Sequence, residues 1–141
     1  MSFTAHWHVY RPDELPAEET LVVETPADVD HLVARLSDPD SSPAMVFHSA
    51  RPEIVSEWSG ETVDDHLLWA LVHKGFGYLD FHSPEHVSCA LVGDPASEGY
   101  HYDYVDYDPG SGVALDLFTR ALKEFLRTAE RPTCAEWRDT D

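Results

Sequence analysis

Two helical stripes, separated by a long stretch in which no third one occurs, constrain this chain more than any other feature. The first stripe has a clear start: Thr25 as N-cap, Pro26 at the first helical position, and Asp28 three residues after the cap. Val29, Leu32, Val33 and Leu36 follow at i, i+3, i+4 and i+7, the spacing of one buried face. Asp38-Pro39-Asp40-Ser41-Ser42-Pro43 ends it. The second stripe follows the turn Asp108-Pro109-Gly110-Ser111-Gly112. It consists of Ala114, Leu117, Phe118, Ala121, Leu122, Phe125 and Leu126, with Asp116 and Arg120 on the opposite face. Arg127 suits the last turn, and Pro132 prevents continuation.

Between the stripes lie only short apolar runs bounded by turn residues. Ala44 to Phe47, Ile54 to Trp58, Leu67 to Val72, Gly77 to Phe81 and Val87 to Val92 read as strands, although Leu67 to Val72 also fits a buried helical turn. Tyr100 to Tyr107 alternates as one strand, with Tyr100, Tyr102 and Tyr104 on one face. Ala5 to Tyr10, with Trp7 and Val9 sharing a face, and Leu21 to Val23 precede the first helix, separated by a Pro- and acid-rich connection from Arg11 to Glu19. Thr133 to Trp137 supplies a closing strand. Parallel strands need crossover segments, usually helices, and contiguous strands lack them. The expected fold is therefore α+β, a mainly antiparallel sheet with two amphipathic helices packed on one face. With no repeat or linker, the 141 residues read as a single domain, 1–141.

Charge narrows the function. Twenty-seven acidic residues face nine basic ones, a formal net charge of −18. Up to Thr119 only Arg11, Arg35, Arg51 and Lys74 are basic. Direct nucleic-acid binding needs clustered Lys and Arg, so it is disfavoured. A field of this sign attracts a basic partner, although solubility alone also favours Asp and Glu. No apolar run reaches the roughly 20 residues of a membrane span, and the start at Met1 lacks a secretory pattern, so the expected location is the cytoplasm. Cys89 and Cys134 have neither metal nor redox spacing and read as two reduced thiols.

Catalytic signatures are missing. There is no nucleophile elbow, phosphate loop or His-Glu-x-x-His, and Gly75-Phe76-Gly77 reads as a turn entering a strand. No cofactor is expected. Nine histidines leave a second reading open, a small metal-dependent enzyme using His6, His8, His101 and nearby carboxylates. None of these spacings is a recognised ligand set. Acid pairs such as Asp64-Asp65 and Glu18-Glu19 read as solvated surface. More distinctive is Tyr100-His101-Tyr102-Asp103-Tyr104-Val105-Asp106-Tyr107-Asp108, which mixes tyrosine anchors with carboxylates. Such a segment fits the basic cleft of a nucleic-acid enzyme, with carboxylates in place of phosphates. The same tyrosines also suit a strand with one face in the core.

The C-terminal segment Arg131-Pro132-Thr133-Cys134-Ala135-Glu136-Trp137, directly after a helix ending Glu124-Phe125-Leu126, resembles the closing signature of a known family. It is the family numbered one among the immunity proteins of bacterial polymorphic toxin systems. Glu24-Thr25-Pro26, Ala44-Met45-Val46-Phe47-His48, Gly77-Tyr78-Leu79-Asp80-Phe81 and the turn at Asp108-Pro109-Gly110-Ser111 are similar too, a likeness spanning roughly Thr20 to Trp137. His82 to Glu98 departs from the pattern. The resemblance implies a non-catalytic cytoplasmic antitoxin that blocks a cognate toxin domain, often a nucleic-acid deaminase, by stoichiometric occlusion. On this reading the partner is a toxin domain with a basic surface, bound by a monomer or weak dimer. Tyr100, Tyr102 and Tyr104 are the candidate anchors, Asp103, Asp106 and Asp108 the electrostatic contacts, and Glu57 and Trp58 come next. A third reading, an acidic nucleic-acid mimic that regulates a host protein, shares this physics and differs in partner.

Overall fold

A computed structural model describes residues 1–140. The chain begins with an antiparallel pair, β1 (Phe3–Val9) and β2 (Ala17–Val23), so the Pro- and acid-rich connection is shorter than expected and its last residues already pair. Helix α1 (Pro26–Leu36) starts where its capping residues require. The Asp28 N–H donates to the Thr25 hydroxyl at 3.2 Å. The Asp28 carboxylate accepts in return from the N–H groups of Glu24 and Thr25 at 3.0 and 3.1 Å. Those donors, the Glu24 N–H first, hold the Asp28 carboxyl below its usual range.

Strands β3 (Ala44–His48), β6 (Leu67–His73), β7 (Phe76–His82) and β8 (Cys89–Leu91) continue the sheet, and β12 (Trp137–Asp139) closes it. Leu67 to Val72 is thus strand rather than helical turn. The order across the sheet is β12-β8-β7-β6-β3-β1-β2, every pair antiparallel. The expected closing strand is displaced: Thr133 to Glu136 is irregular because the Glu124 carboxylate accepts from the N–H groups of Thr133 and Cys134, and pairing begins at Trp137. Strand β11 (Val113–Ala114) pairs β7 and leads into α2 (Leu115–Thr128). The tight β6–β7 connection uses Lys74 and Gly75, both at positive φ, as a type I′ turn requires. At Gly77 a side chain would collide with the Phe118 ring, so the glycine lets α2 lie close on the sheet.

Both helices cover one face. Phe3, Ala5 and Trp7 of β1, Val46 of β3, Leu68 and Ala70 of β6, and Leu79 and Phe81 of β7 meet Val29, Leu32 and Leu36 of α1 and Phe118, Leu122 and Phe125 of α2. At roughly 1.5–3 kcal/mol for each buried large apolar side chain, this layer carries most of the stability. The fold is α+β as the pattern of stripes predicted. Cys89 and Cys134 are free thiols, the first buried.

Two stretches that read as single strands are instead hairpins outside the main sheet. Ile54 to Trp58 is divided: β4 (Glu53–Val55) pairs β5 (Thr62–Asp64), and the turn between them carries Glu57 and Trp58. Tyr100 to Tyr107 likewise folds back on itself as β9 (Tyr100–Tyr102) and β10 (Val105–Tyr107), with Tyr102 opposite Val105 and Asp103-Tyr104 as the loop.

Candidate functional site

The face of the sheet opposite the helices carries a different set of side chains. In antiparallel register, residues directly opposite one another share a face. Thr20, His6, Met45, Trp69, Asp80, Ala90 and Arg138 therefore form one row across β2, β1, β3, β6, β7, β8 and β12. The β9–β10 hairpin lies on part of this face. Val105 and Tyr107 are buried against Trp69, Leu71 and Tyr78 as a second, smaller core. Tyr107 meets Tyr78 edge-on at 5.5 Å between ring centroids, and Tyr100 meets His73 at 4.9 Å. The Tyr102 hydroxyl is 3.0 Å from that of Tyr10, which ties the hairpin to the end of β1; that bond is the main reason the Tyr10 hydroxyl is pushed up to about 12.

This geometry corrects the expected tyrosine face. Tyr100 and Tyr102 are half-buried, while the loop sends Tyr104 outwards with 81% of its surface exposed. Asp103, Asp106 and Asp108 are all exposed. Asp106 is in contact with His101, and Asp108 accepts from the Arg138 guanidinium at 2.8 Å. Of the candidate residues, the hairpin thus gathers the three tyrosines and three aspartates in one compact feature, with Tyr104 and Asp103 at its tip.

Beside the hairpin tip the open face forms a groove of about 790 Å³. Met45, Leu67 and Trp69 line its floor, His6, His8 and Glu18 one side, and Tyr102, Tyr104 and His82 the other. His6 is 3.2 Å from the Thr20 hydroxyl, and His8 is 3.6 Å from Glu18. His82 touches the Asp80 carboxylate, a contact that raises the imidazole above its ordinary value and exceeds the opposing effect of burial. Asp80 Oδ1 and the Tyr107 hydroxyl, both buried, have no well-formed hydrogen bond. Burial, with Asp80 next in importance, pushes the Tyr107 hydroxyl well above its usual range. Nothing in the residue pattern marks the groove, because the hairpin fold-back that walls it has no sequence signature.

Glu57 and Trp58 lie elsewhere, on the β4–β5 arm. All six of its strand residues are exposed, and Trp58 shows 97% of its surface. The tip is nevertheless hydrogen-bonded within itself. The Ser56 hydroxyl accepts from the N–H groups of Trp58 and Ser59 at 3.2 and 3.3 Å, and the Gly60 N–H donates to the Ser56 carbonyl at 2.9 Å. From Glu53 to Asp64 the arm carries four acids and no base.

The base of the arm is clamped by a buried polar cluster. The Arg51 guanidinium donates through Nε and Nη2 to the two Asp65 oxygens at 2.9 and 3.0 Å, with both side chains only 5% exposed. It also reaches Glu85 and the Ala129 carbonyl at the end of α2. His66 donates from Nδ1 to Asp65 and accepts the His48 N–H on Nε2 at 2.8 Å. His48 in turn accepts the Ala50 N–H on Nδ1 at 3.0 Å and donates from Nε2 to the Leu126 carbonyl at 2.8 Å. Asp65 is therefore not solvated surface, as the acid pair suggested. The hydrogen bonds from Arg51 and His66 outweigh its burial and keep its carboxyl below the usual range, while burial drives His66 below its own. An Asp-His pair of this kind resembles part of a catalytic relay, but the His66 side chain has no exposed surface and cannot meet a substrate.

The parts of the metal reading do not converge. His6 and His8 are in the sheet, and His101 is in the hairpin against Asp106. Among the described residues no group of three or more His, Cys, Asp or Glu is placed to hold a metal ion. No helix among them is long and apolar enough to cross a membrane.

The family model described as "Immunity protein Imm1" matches residues 17–139, nearly the whole chain. No curated protein matches it. The chain belongs to this immunity protein family.

Proposed function

We propose that this immunity protein neutralises a cognate toxin domain by occupying a basic, nucleic-acid-binding cleft of that toxin. The observation that carries the reading is the open face of the sheet. There an acidic, tyrosine-tipped hairpin stands beside an aromatic groove, in a chain of net charge −18 that belongs to an immunity family. Tyr104 and Trp58 are large and displayed at the tips of two hairpins, where rigid aromatic side chains are suited to a partner's pocket. Both suit insertion as anchors, with Tyr100 and Tyr102 behind the first of them. Asp103, Asp106, Asp108 and Glu57 supply the field that orients the partner.

A toxin acting on nucleic acid needs a cleft that accepts a polyanion, and the deaminase class fits this requirement. The antitoxin would act in the cytoplasm, as a monomer or weak dimer, without catalysis of its own. A gene directly beside that of a large secreted toxin is the expected setting. Co-expression with the neighbouring toxin's C-terminal domain tests the proposal: cells carrying both should grow, and cells carrying the toxin alone should not. Failure to rescue, with both proteins soluble, would overturn it. In the rescued pair, raising salt should slow association far more than it speeds dissociation. A salt-independent association rate would remove electrostatic steering from the account.

A further inference from the structure

We propose that the groove beside the hairpin tip is a receptor for one arginine side chain of the toxin. The inference rests on the toxin-binding reading above and names what enters this part of the surface. Trp69 forms part of the floor, and Tyr102 meets it edge-on with ring centroids 6.5 Å apart. Tyr104 meets Tyr102 in the same manner, also at 6.5 Å, so three rings, each set edge-on to the next, line one space. A guanidinium is planar, weakly hydrated and attracted to ring faces, and it stacks where an ammonium does not.

Charge selects the same occupant. No lysine or arginine lines the groove, whereas Glu18 and Glu19 do. Glu19 is already engaged by Arg35, but Glu18 has 87% of its side chain in water and only His8 nearby, at 3.6 Å. It is the free acceptor at the mouth, and Asp103 flanks Tyr104 on the hairpin side. The remaining ionisable walls are His6, His8 and His82, the last held against the Asp80 carboxylate, which offsets its charge. A leucine or phenylalanine would fill the floor of Met45 and Leu67 equally well, but it would make no use of the Glu18 carboxylate at the mouth. Arginine satisfies both the rings and the carboxylate.

The test uses the intact protein and three blocked tripeptides, Gly-Arg-Gly, Gly-Lys-Gly and Gly-Leu-Gly, followed by NMR at the Trp69 indole N–H and the Met45 methyl. Gly-Arg-Gly should shift both signals saturably in the millimolar range, with Gly-Lys-Gly weaker and Gly-Leu-Gly without effect. The double variant Glu18→Gln/Tyr104→Ala changes two exposed side chains, so it keeps its fold, and it should bind Gly-Arg-Gly about tenfold more weakly. No response to Gly-Arg-Gly, or an equal response to Gly-Leu-Gly, overturns the proposal. Toxin rescue separates the two levels. Rescue without peptide binding removes the arginine receptor and leaves the antitoxin reading standing; peptide binding without rescue removes the antitoxin reading and, with it, the toxin as the source of the arginine.

Discussion

The two small hairpins hold their aromatic residues in opposite ways. The β9–β10 hairpin lies down on the sheet: Val105 and Tyr107 enter a core with Trp69, Leu71 and Tyr78, and only the tip stays in water. The β4–β5 arm stands away from the sheet, buries none of its strand residues, and is fixed at its base alone. Tyrosines in the first therefore serve packing and display at once, while Trp58 in the second serves display only. Exposure of an aromatic side chain carries functional meaning where the backbone beneath it is held, and in this molecule two different means hold it. One is an apolar underside. The other is a buried ion pair.

Substitutions should separate these two means of support. Arg51→Ala removes the clamp and leaves Asp65 buried without a counter-charge. The expected cost is about 3–5 kcal/mol in urea unfolding, with the arm and the end of α2 loosened together. A loss below about 1 kcal/mol would mean that the clamp is not what holds the arm. Tyr102→Ala should cost about 1–3 kcal/mol of stability, since it removes packing on Trp69 and the bond to Tyr10. Trp58→Ala should leave stability within about 0.5 kcal/mol of the parent while weakening toxin binding by about 2 kcal/mol or more. If Trp58→Ala instead destabilised the fold, the contrast between the two hairpins would collapse.

Acid should act first at the arm. His66 has its folded value lowered by burial, so its contribution to stability is complete above about pH 6.5 and is lost as pH falls through the folded value. Protonation would also remove the acceptor for the His48 N–H. The Tm should decline as pH falls below about 6.5, and His66→Gln, though less stable overall, should flatten that decline. His82 works in the other direction. Its value is raised by Asp80, so its contribution is present below the ordinary histidine value and is lost as pH rises through the folded one. The smallest effect is a gain: Tyr107→Phe deletes a buried hydroxyl without a partner and should raise stability by up to about 1 kcal/mol.

The elements legible in the sequence are those whose signals are local. Thr25, Pro26 and Asp28 specify a helix start within four residues, and the stripe from Val29 to Leu36 specifies which face is buried. The two fold-backs were not legible. The loop Asp103-Tyr104 contains no glycine or asparagine and neither residue takes a positive φ, so the alternation of tyrosines runs through it as though the strand were unbroken. In the arm, Gly60 alone marks the turn. The clamp escapes for another reason. His48, Arg51, Asp65 and His66 are each unremarkable in sequence, and what makes them a unit is a set of contacts with α2 and the β7–β8 loop, up to 78 residues away along the chain. The candidate residues Tyr104, Asp103 and Trp58 could be chosen from composition alone, but the groove that Tyr104 borders depends on the fold-back and on the row of side chains across the sheet.

Hydrogen exchange, measured on the chain alone and in complex with the neighbouring toxin domain, tests the central claim most directly. The account predicts that protection gained on binding falls on 53–64, on 100–108 and on the β1–β2 side of the groove, while the outer faces of α1 and α2 exchange as before. Protection confined to the two helices, with both hairpins unchanged, would contradict it.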